Sequence, residues 1–248
     1  AAAHDVAGGT LEHLQALVDA FCVTRESSGR YTIHELLRQY AEDKLTQSSS
    51  KPGEIRDRHC AYYVTALYRW GRDLRGAQQL TTLAEMDTEI DNVRAAWTWA
   101  LAQNHASWLA SGSDGLGAYL RCRGYFSEGV AVFQTTLEDL ACGFEEKHPI
   151  VLARLLTWAG IFSQAVGDFQ GATDCLQRAL SLYASSPLAS AVAQVGKARA
   201  LLALAHLIRP TDPEEAIKLG QQSIALYRAH KDQTGLAEAL YIIGEILG

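Results

Sequence analysis

Apolar residues recur at helical spacing along most of this chain and predict its first elements. Near the N-terminus, one run of apolar positions would form a single face of a helix capped by Thr10: Leu11, Leu14, Leu17, Val18 and Phe21. Residues 55–75 and 79–104 predict two long helices, and the second places Trp97 in its apolar face. Trp99 would then lie on another side of that helix, where we interpret it as part of a contact surface.

Between the first helical segments, the pattern favours a β-hairpin. Residues 21–24 and 31–33 are short β-prone runs on either side of a Gly-containing turn at 27–29. Helical spacing resumes over residues 34–41. A helix, a hairpin and a helix in this order form the last part of a winged-helix domain, which we predict over residues 1–46.

Beyond this domain, turn residues and small residues predict a linker, a helical connector and a repeat. Residues 47–53 are polar and rich in Ser, Pro and Gly, which predicts a linker, and the connector follows over 54–107. From 108 to 248, similar groups of residues return every 43–44 positions, and the last unit is truncated. Helical hairpins of this kind bury their apolar faces only by stacking. We therefore predict an all-α solenoid preceded by the partial winged helix with its small β-hairpin.

The composition supports a folded helical protein and narrows its chemistry. Of the 248 residues, 48% are hydrophobic and 20% are charged, and only five are proline. The five cysteines form no C-x-x-C pair, and no apolar run reaches the length of a membrane span. His59 beside Cys60 comes nearest to a metal or Cys–His site, but the other histidines lack ligand spacing, so we predict neither. We expect a reduced, cytoplasmic protein without a signal peptide, a bound metal or a membrane contact.

The charge is unevenly distributed along the chain. The formal net charge of −6 comes from residues 76–248, because residues 1–75 contain equal numbers of acidic and basic side chains. An acidic region is a poor partner for phosphate backbones. The predicted helix at 11–21 contains Glu12 and Asp19 and neither Lys nor Arg. DNA binding is therefore not expected, although a winged-helix DNA-binding regulator stays as an alternative function.

Individual residues of the repeat resemble those of the tetratricopeptide repeat. The second unit matches that repeat best, at these positions: Leu156, Ala159, Gly160, Phe169, Ala172, Leu176 and Ala179. The period departs from the family, in which it is about 34 residues. Ser163 also departs from it, because the family has an aromatic residue at this position. The resemblance implies a groove lined by one face of the first helix of each unit.

The register of that family gives candidate binding residues on the groove. They are Asp114, Arg121, Arg154, Thr157, Gln164, Glu238, Tyr241 and Glu245, beside Ala118 and Ile161. Arg121 and Arg154 stand out in an acidic region and could receive a carboxylate from a protein, a peptide or a small inducer. The alternative is that both arginines are solvated or pair with a neighbouring acid.

The N-terminal part resembles a more specific family. Residues 17–19 and the run YTIHELLRQYA at 31–41 are similar to the winged-helix end of STAND proteins of the NB-ARC type. These are signal-transduction ATPases with numerous domains, and they include bacterial regulators of the MalT and AfsR types. Ile33-His34-Glu35 aligns with the Met-His-Asp motif of the family, and residues 58–63, 89–97 and 123–129 resemble the segments that follow that motif.

The resemblance to STAND proteins implies that an upstream P-loop module binds ADP or ATP in the full-length protein and that His34 helps to sense the nucleotide. This chain contains no G-x-x-x-x-G-K-[ST] motif to hold phosphates. We therefore predict a region without enzymatic activity or cofactor, a sensor and protein-interaction arm whose groove is coupled to the winged-helix switch. A passive scaffold or oligomerisation module is the alternative, because the predicted C-terminal helix lacks a partner and could self-associate.

Overall fold

The computed structural model describes residues 2–27, 29–47, 52–185 and 190–247, and these ranges are almost wholly helical. Thirteen helices and one short β-hairpin make up their regular structure, which confirms the predicted all-α class. In chain order the elements are α1 (Ala2–Ala7), α2 (Leu11–Asp19), β1 (Thr24–Arg25), β2 (Tyr31–Thr32), α3 (Glu35–Gln47), α4 (Pro52–Asp73), α5 (Gln79–Ala102), α6 (Ala106–Arg123), α7 (Phe126–Asp139), α8 (Phe144–Lys147), α9 (Pro149–Ala165), α10 (Phe169–Ser185), α11 (Ala191–Ile208), α12 (Pro213–Ala229) and α13 (Gln233–Leu247).

The predicted N-terminal elements are present with shifted ends. The first predicted helix is α2 and ends before Phe21, β1 shares only Thr24 with the predicted run 21–24, and α1 was not predicted. Thr10 caps α2, because its Oγ1 accepts a hydrogen bond from the His13 amide at 3.2 Å and its own amide donates to His13 Nδ1 at 3.3 Å. β1 and β2 are antiparallel, with Thr24 opposite Thr32. Residue 28, in the turn between them, lies outside the described ranges.

The apolar side chains of these N-terminal elements stay at the surface. The face predicted for α2 contains no buried residue, and Leu11 and Phe21 are 78% and 90% exposed. Leu36 and Tyr40 of α3 are exposed as well. Helical spacing therefore predicted the element correctly, but the described chain provides no layer that covers this face.

The two long helices predicted for the connector are α4 and α5, whose ends lie within three residues of the predicted ones. They pack against each other, and α4 also packs against α6. At the predicted linker, Gln47 ends α3 and Pro52 begins α4. Residues 48–51 of that linker lie outside the described ranges, as does Gly248 at the end of the chain.

The tryptophans of α5 are both engaged within the chain. Trp97 is buried, as predicted, and its Nε1 donates to Thr136 Oγ1 at 3.0 Å. Trp99, interpreted from the sequence as a contact-surface residue, is half-buried, and its Nε1 donates to Asp57 Oδ1 at 2.8 Å. The hydrogen bond ties the start of α4 to the end of α5.

The helices after the connector pack in consecutive pairs. α6 contacts α7, α9 packs against α10 and α11 against α12, and the short α8 lies between the first two pairs. Within the described ranges α13, the last helix, packs on α12. The first helices of successive pairs begin 43 and 42 residues apart, and α13 begins 42 residues after α11, close to the predicted period of 43–44 residues.

The first of these pairs approaches the connector very closely. A Cβ atom on Gly115 of α6 would lie 2.1 Å from the carbonyl oxygen of Leu67 in α4, and one on Gly71 would lie 2.9 Å from the Cα of Gly115. Backbone atoms of two helices come this close only where side chains are absent. The two glycines therefore set the distance between connector and array.

A continuous apolar core runs from α4 to α11, and a smaller cluster joins α11, α12 and α13. The larger core contains four aromatic rings with neighbouring centroids 5.7 to 6.3 Å apart: Trp97, Phe133, Trp158 and Phe162. Of the described helices, α11 has the length and composition to cross a membrane, with 44% of its residues buried in the chain. It packs between α10 and α12, so its apolar composition is accounted for by the core.

Candidate functional site

The predicted groove residues lie on α6, α9 and α13, and we call the face that these helices share with α11 the inner face. Its centre is a cluster around Asp114 of α6. Asp114 Oδ1 accepts hydrogen bonds from Trp158 Nε1 at 2.9 Å and from Arg199 Nη1 at 2.5 Å. Asp114 Oδ2 accepts one from Arg154 Nη2 at 2.9 Å, and the Arg199 guanidinium lies 4.9 Å from the centroid of the Trp158 ring.

The charges of this cluster do not balance. One carboxylate faces two guanidinium groups, and the side chains of Arg154 and Arg199 are only 10% and 14% exposed. Burial alone would raise the pKa of Asp114, but Arg199 and Arg154 hold that pKa well below its usual range. The cluster therefore keeps a net positive charge at every ordinary pH.

One hydrogen-bond donor of the cluster is unused. The Nε of Arg154 is buried and has no partner among the described residues. Buried polar groups normally have a partner, and an unpaired donor beside excess positive charge favours an acceptor with negative charge. The inner face therefore has the chemistry to receive a carboxylate or a similar anion.

The other predicted residues all have partners within the chain, and two pairs of them bond to each other. Arg121 Nη1 of α6 donates to Glu238 Oε1 of α13 at 2.5 Å. Tyr241 donates to Glu245 Oε1 at 2.8 Å, while Thr157 is buried and donates to the carbonyl oxygen of Ala153. Gln164 Nε2 lies 3.1 Å from His206 Nδ1. Arg121 and Arg154 thus each pair with an acid, which was the alternative considered from the sequence.

A second contact joins the two ends of the helical array. Arg75, just after α4, donates from Nη1 to Asp232 Oδ2 at 2.7 Å, and the Thr234 hydroxyl donates to the Arg75 carbonyl oxygen at 2.9 Å. Together with the Arg121–Glu238 pair, these bonds connect α13 to the first helices across more than 100 residues of sequence. The inner face is therefore closed on this side by polar contacts.

Replacing Asp232 by alanine should lower the free energy of unfolding by about 2 kcal/mol. Its Oδ1 caps α13 by accepting the Gly235 amide at 3.0 Å, a contact worth about 1 kcal/mol. Its side chain is only 9% exposed, so losing the ion pair with Arg75 adds to this cost. Asp212→Ala is the matched control, since Asp212 makes the same cap to Glu215 but forms no ion pair with any described residue. Equal losses in denaturant titrations would show that the Arg75 contact contributes nothing.

His34, the predicted nucleotide sensor, lies apart from the inner face. It is exposed at the start of α3, where its Nδ1 accepts the Leu36 amide at 3.3 Å. The structure therefore does not bring His34 to the inner-face residues.

The His59–Cys60 neighbourhood has the chemistry of a core position. Cys60 is buried, donates its thiol to the Ala96 carbonyl oxygen, and burial raises its pKa to about 12. Burial also lowers the pKa of His59. A protonated thiol beside a neutral imidazole is a poor nucleophile. Among the described residues no group of three His, Cys, Asp or Glu side chains lies close enough to hold a metal.

Arg199 is the inner-face residue that sequence reasoning missed. Carrying the 43–44-residue period forward from Arg154 ends one or two residues before Arg199, and this was the available signal. One residue rotates a helical position by about 100°, so the period alone does not identify the position. The contact with Asp114 decides it.

Comparison with known proteins finds sequence relatives over most of the chain. Over 179 residues the chain is 30% identical to proteins described as putative HTH-type transcriptional regulators in Mycobacterium tuberculosis and Mycobacterium bovis. The match covers 69% of this chain, and the chain spans about a fifth of the length of these curated relatives. No protein-family model matches the chain. No solved structure matches it either.

Proposed function

We propose that this chain is the sensor and protein-interaction region of a STAND-type transcriptional regulator. The observation that carries the proposal is the inner-face cluster, where two nearly buried arginines share one aspartate and the Nε of Arg154 lacks a partner. A carboxylate of a protein, a peptide or a small inducer would complete it. The similarity to transcriptional regulators over 69% of the chain supports the regulatory class.

The architecture of the proposal is a tetratricopeptide-like solenoid behind a partial winged helix. The successive helix pairs from α6 to α12 support the solenoid. The exposed apolar residues Leu11, Phe21 and Leu36 support a winged-helix part that docks on an upstream nucleotide-binding module of the full-length protein. ADP or ATP would bind in that module, with His34 at its edge, and this region would supply no catalytic group.

A route from the array to the N-terminal part is present in the contacts of Glu89. This carboxylate of α5 accepts hydrogen bonds from Arg30 of the hairpin, from Tyr63 of α4 at 2.8 Å and from Asn92 at 2.7 Å. Arg30 also donates to the Thr88 carbonyl oxygen at 2.9 Å. In the proposed function, Glu89 transmits movements of the connector to the hairpin.

Replacing Glu89 by glutamine should release the hairpin without unfolding the array. Loss of the charge removes the ion pair to Arg30, so we expect hairpin amides to exchange about tenfold faster or more, which corresponds to a local loss of about 1.4 kcal/mol. Glu85→Gln is the matched control, because Glu85 lies one turn earlier on α5 and forms an exposed pair with Arg69. Hydrogen exchange measured by mass spectrometry provides the readout. Equal exchange in the two variants would contradict the proposed route.

The binding role of the inner face is tested by affinity capture from an extract of the source cells. The bait carries Tyr241→Ala, which removes a 66% exposed aromatic ring from the inner face, and the control carries Tyr68→Ala, which removes a 57% exposed ring from α4. We expect the wild type and the control to recover the same amount of the same partner. Tyr241→Ala should recover about tenfold less of it, or even less. Recovery of the partner by all three proteins would favour a passive scaffold, and self-association would appear as recovery of the chain itself.

A winged-helix DNA-binding regulator is the second candidate, because the relatives are described as HTH-type regulators. The acidic residues Glu12 and Asp19 of α2 argue against this role for the present chain. Salt-dependent retardation of DNA fragments by the purified chain would establish it.

A further inference from the structure

A cleft of about 570 Å³ lies between the N-terminal elements and the connector, away from the inner face. One wall is apolar and comes from α1 and α2, with Val6, Leu11 and Leu14. The floor is polar and comes from α4 and α5, with Tyr63 and Glu89. Clefts of 300–1,000 Å³ with apolar walls and a few polar groups are typical of small-molecule sites.

The floor of the cleft carries no net charge. Glu89 pairs with Arg30, and its carboxylate also accepts the hydrogen bonds from Tyr63 and Asn92. His59 also lines the floor, and burial lowers its pKa, which keeps the imidazole neutral at pH 7. A charged ligand group therefore finds its partner at another part of the cleft.

Arg25 at the rim supplies that partner. It belongs to β1, lines the cleft and lies 6.0 Å from the centroid of the Tyr31 ring. Among the described residues Arg25 has no carboxylate partner. The cleft thus combines an aliphatic wall, a neutral polar floor and one uncompensated positive charge.

We propose that this cleft binds a small organic anion with an aliphatic body, of the kind that a medium-chain carboxylate represents. Its carboxylate meets Arg25, and its hydrocarbon lies along Val6, Leu11 and Leu14. Because the cleft is lined by the hairpin on one side and by α4 and α5 on the other, the ligand bridges the contact that Glu89 makes between them. The inference does not depend on a ligand at the inner face.

Titration calorimetry on the 248-residue chain tests the site with hexanoate, octanoate, decanoate and uncharged 1-octanol. We expect saturable one-to-one binding that tightens about fourfold for each additional buried methylene. Arg25→Gln should weaken the binding of octanoate about two- to fivefold and leave the binding of 1-octanol unchanged, because the lost contact is an exposed ion pair. Leu14→Gln should weaken the binding of both ligands, because it places an amide in the apolar wall.

Two control variants separate this site from adventitious association. Arg72→Gln removes an exposed arginine of α4 outside the cleft, and Phe21→Ser removes an apolar ring that is 90% exposed and also lies outside it. Neither should change octanoate binding. The proposal is overturned if no ligand binds saturably, or if Phe21→Ser weakens binding as much as Leu14→Gln does. Thermal unfolding of each variant, followed by circular dichroism, establishes that all of them are folded.

Discussion

Replacing Gly115 by alanine should lower the free energy of unfolding by about 3 kcal/mol or more. The new methyl group would lie 2.1 Å from the carbonyl oxygen of Leu67 and 2.8 Å from its carbonyl carbon. Both are backbone atoms of α4 that no rotamer change moves away, so the two helices must separate, and overpacking of this kind costs about 1–3 kcal/mol and sometimes more. The higher helix propensity of alanine returns at most about 1 kcal/mol.

Gly244→Ala is the matched control for Gly115→Ala. Gly244 also lies inside a helix, but a Cβ atom there meets nothing within 4 Å. We expect this variant to be neutral or up to about 1 kcal/mol more stable. In thermal unfolding, Gly115→Ala should lower Tm by roughly 6–12 °C. Similar Tm values for the two variants would contradict the close contact between α4 and α6.

Replacing Asp114 by alanine should cost about 3 kcal/mol. The substitution leaves Arg154 and Arg199 nearly buried without their carboxylate and removes the acceptor of Trp158 Nε1. Breaking a fully buried ion pair costs about 3–5 kcal/mol, and the lower end applies because the Asp114 side chain is 35% exposed. The control is Glu145→Ala, whose pair with Arg178 is exposed and should contribute less than about 1 kcal/mol. Equal losses in the two variants would show that the inner-face cluster does not stabilise the array.

The cost of Asp114→Ala should also depend on pH. The folded-state pKa of Asp114 lies below the value of about 3.9 that an unfolded aspartate has, so its ionised form stabilises the fold fully above about pH 5. As the pH falls below about 4, the unfolded chain takes up the proton first and this stabilisation declines. Denaturant titrations from pH 7 to pH 2.5 should therefore show a shrinking difference between wild type and variant. A constant difference over that interval would contradict the lowered pKa.

Helical elements were predictable because their signals are local. The spacing of apolar residues predicted the ends of α4 and α5 to within three residues of the observed ends. Thr10 marked the start of α2, because its side chain accepts a hydrogen bond within the first turn of that helix. The same local signal failed to predict burial. Leu11 and Phe21 have the spacing of a packed face, yet they are exposed, because burial depends on which other part of the chain is present to cover them.

The candidate site shows the same division between local and long-range information. The repeat register grouped Asp114, Arg121 and Arg154 as candidates, since helical periodicity predicts which residues share a side. In the structure Arg154 bonds to Asp114 and Arg121 bonds to Glu238. The register did not find Arg199, which is 85 residues from its partner Asp114. It also did not predict that Arg121 pairs with Glu238, at a separation of 117 residues.

The sequence by itself therefore determined most of the helices and the approximate period at which they pair. The tertiary structure decided which charges meet, how closely α4 approaches α6, and that Arg75 closes the array on Asp232 over 157 residues of sequence. The physical reason is that periodicity and capping act within one or two turns of a helix. Contacts between units depend on the angle and offset at which successive pairs stack, and a shift of one residue rotates a side chain by about 100°.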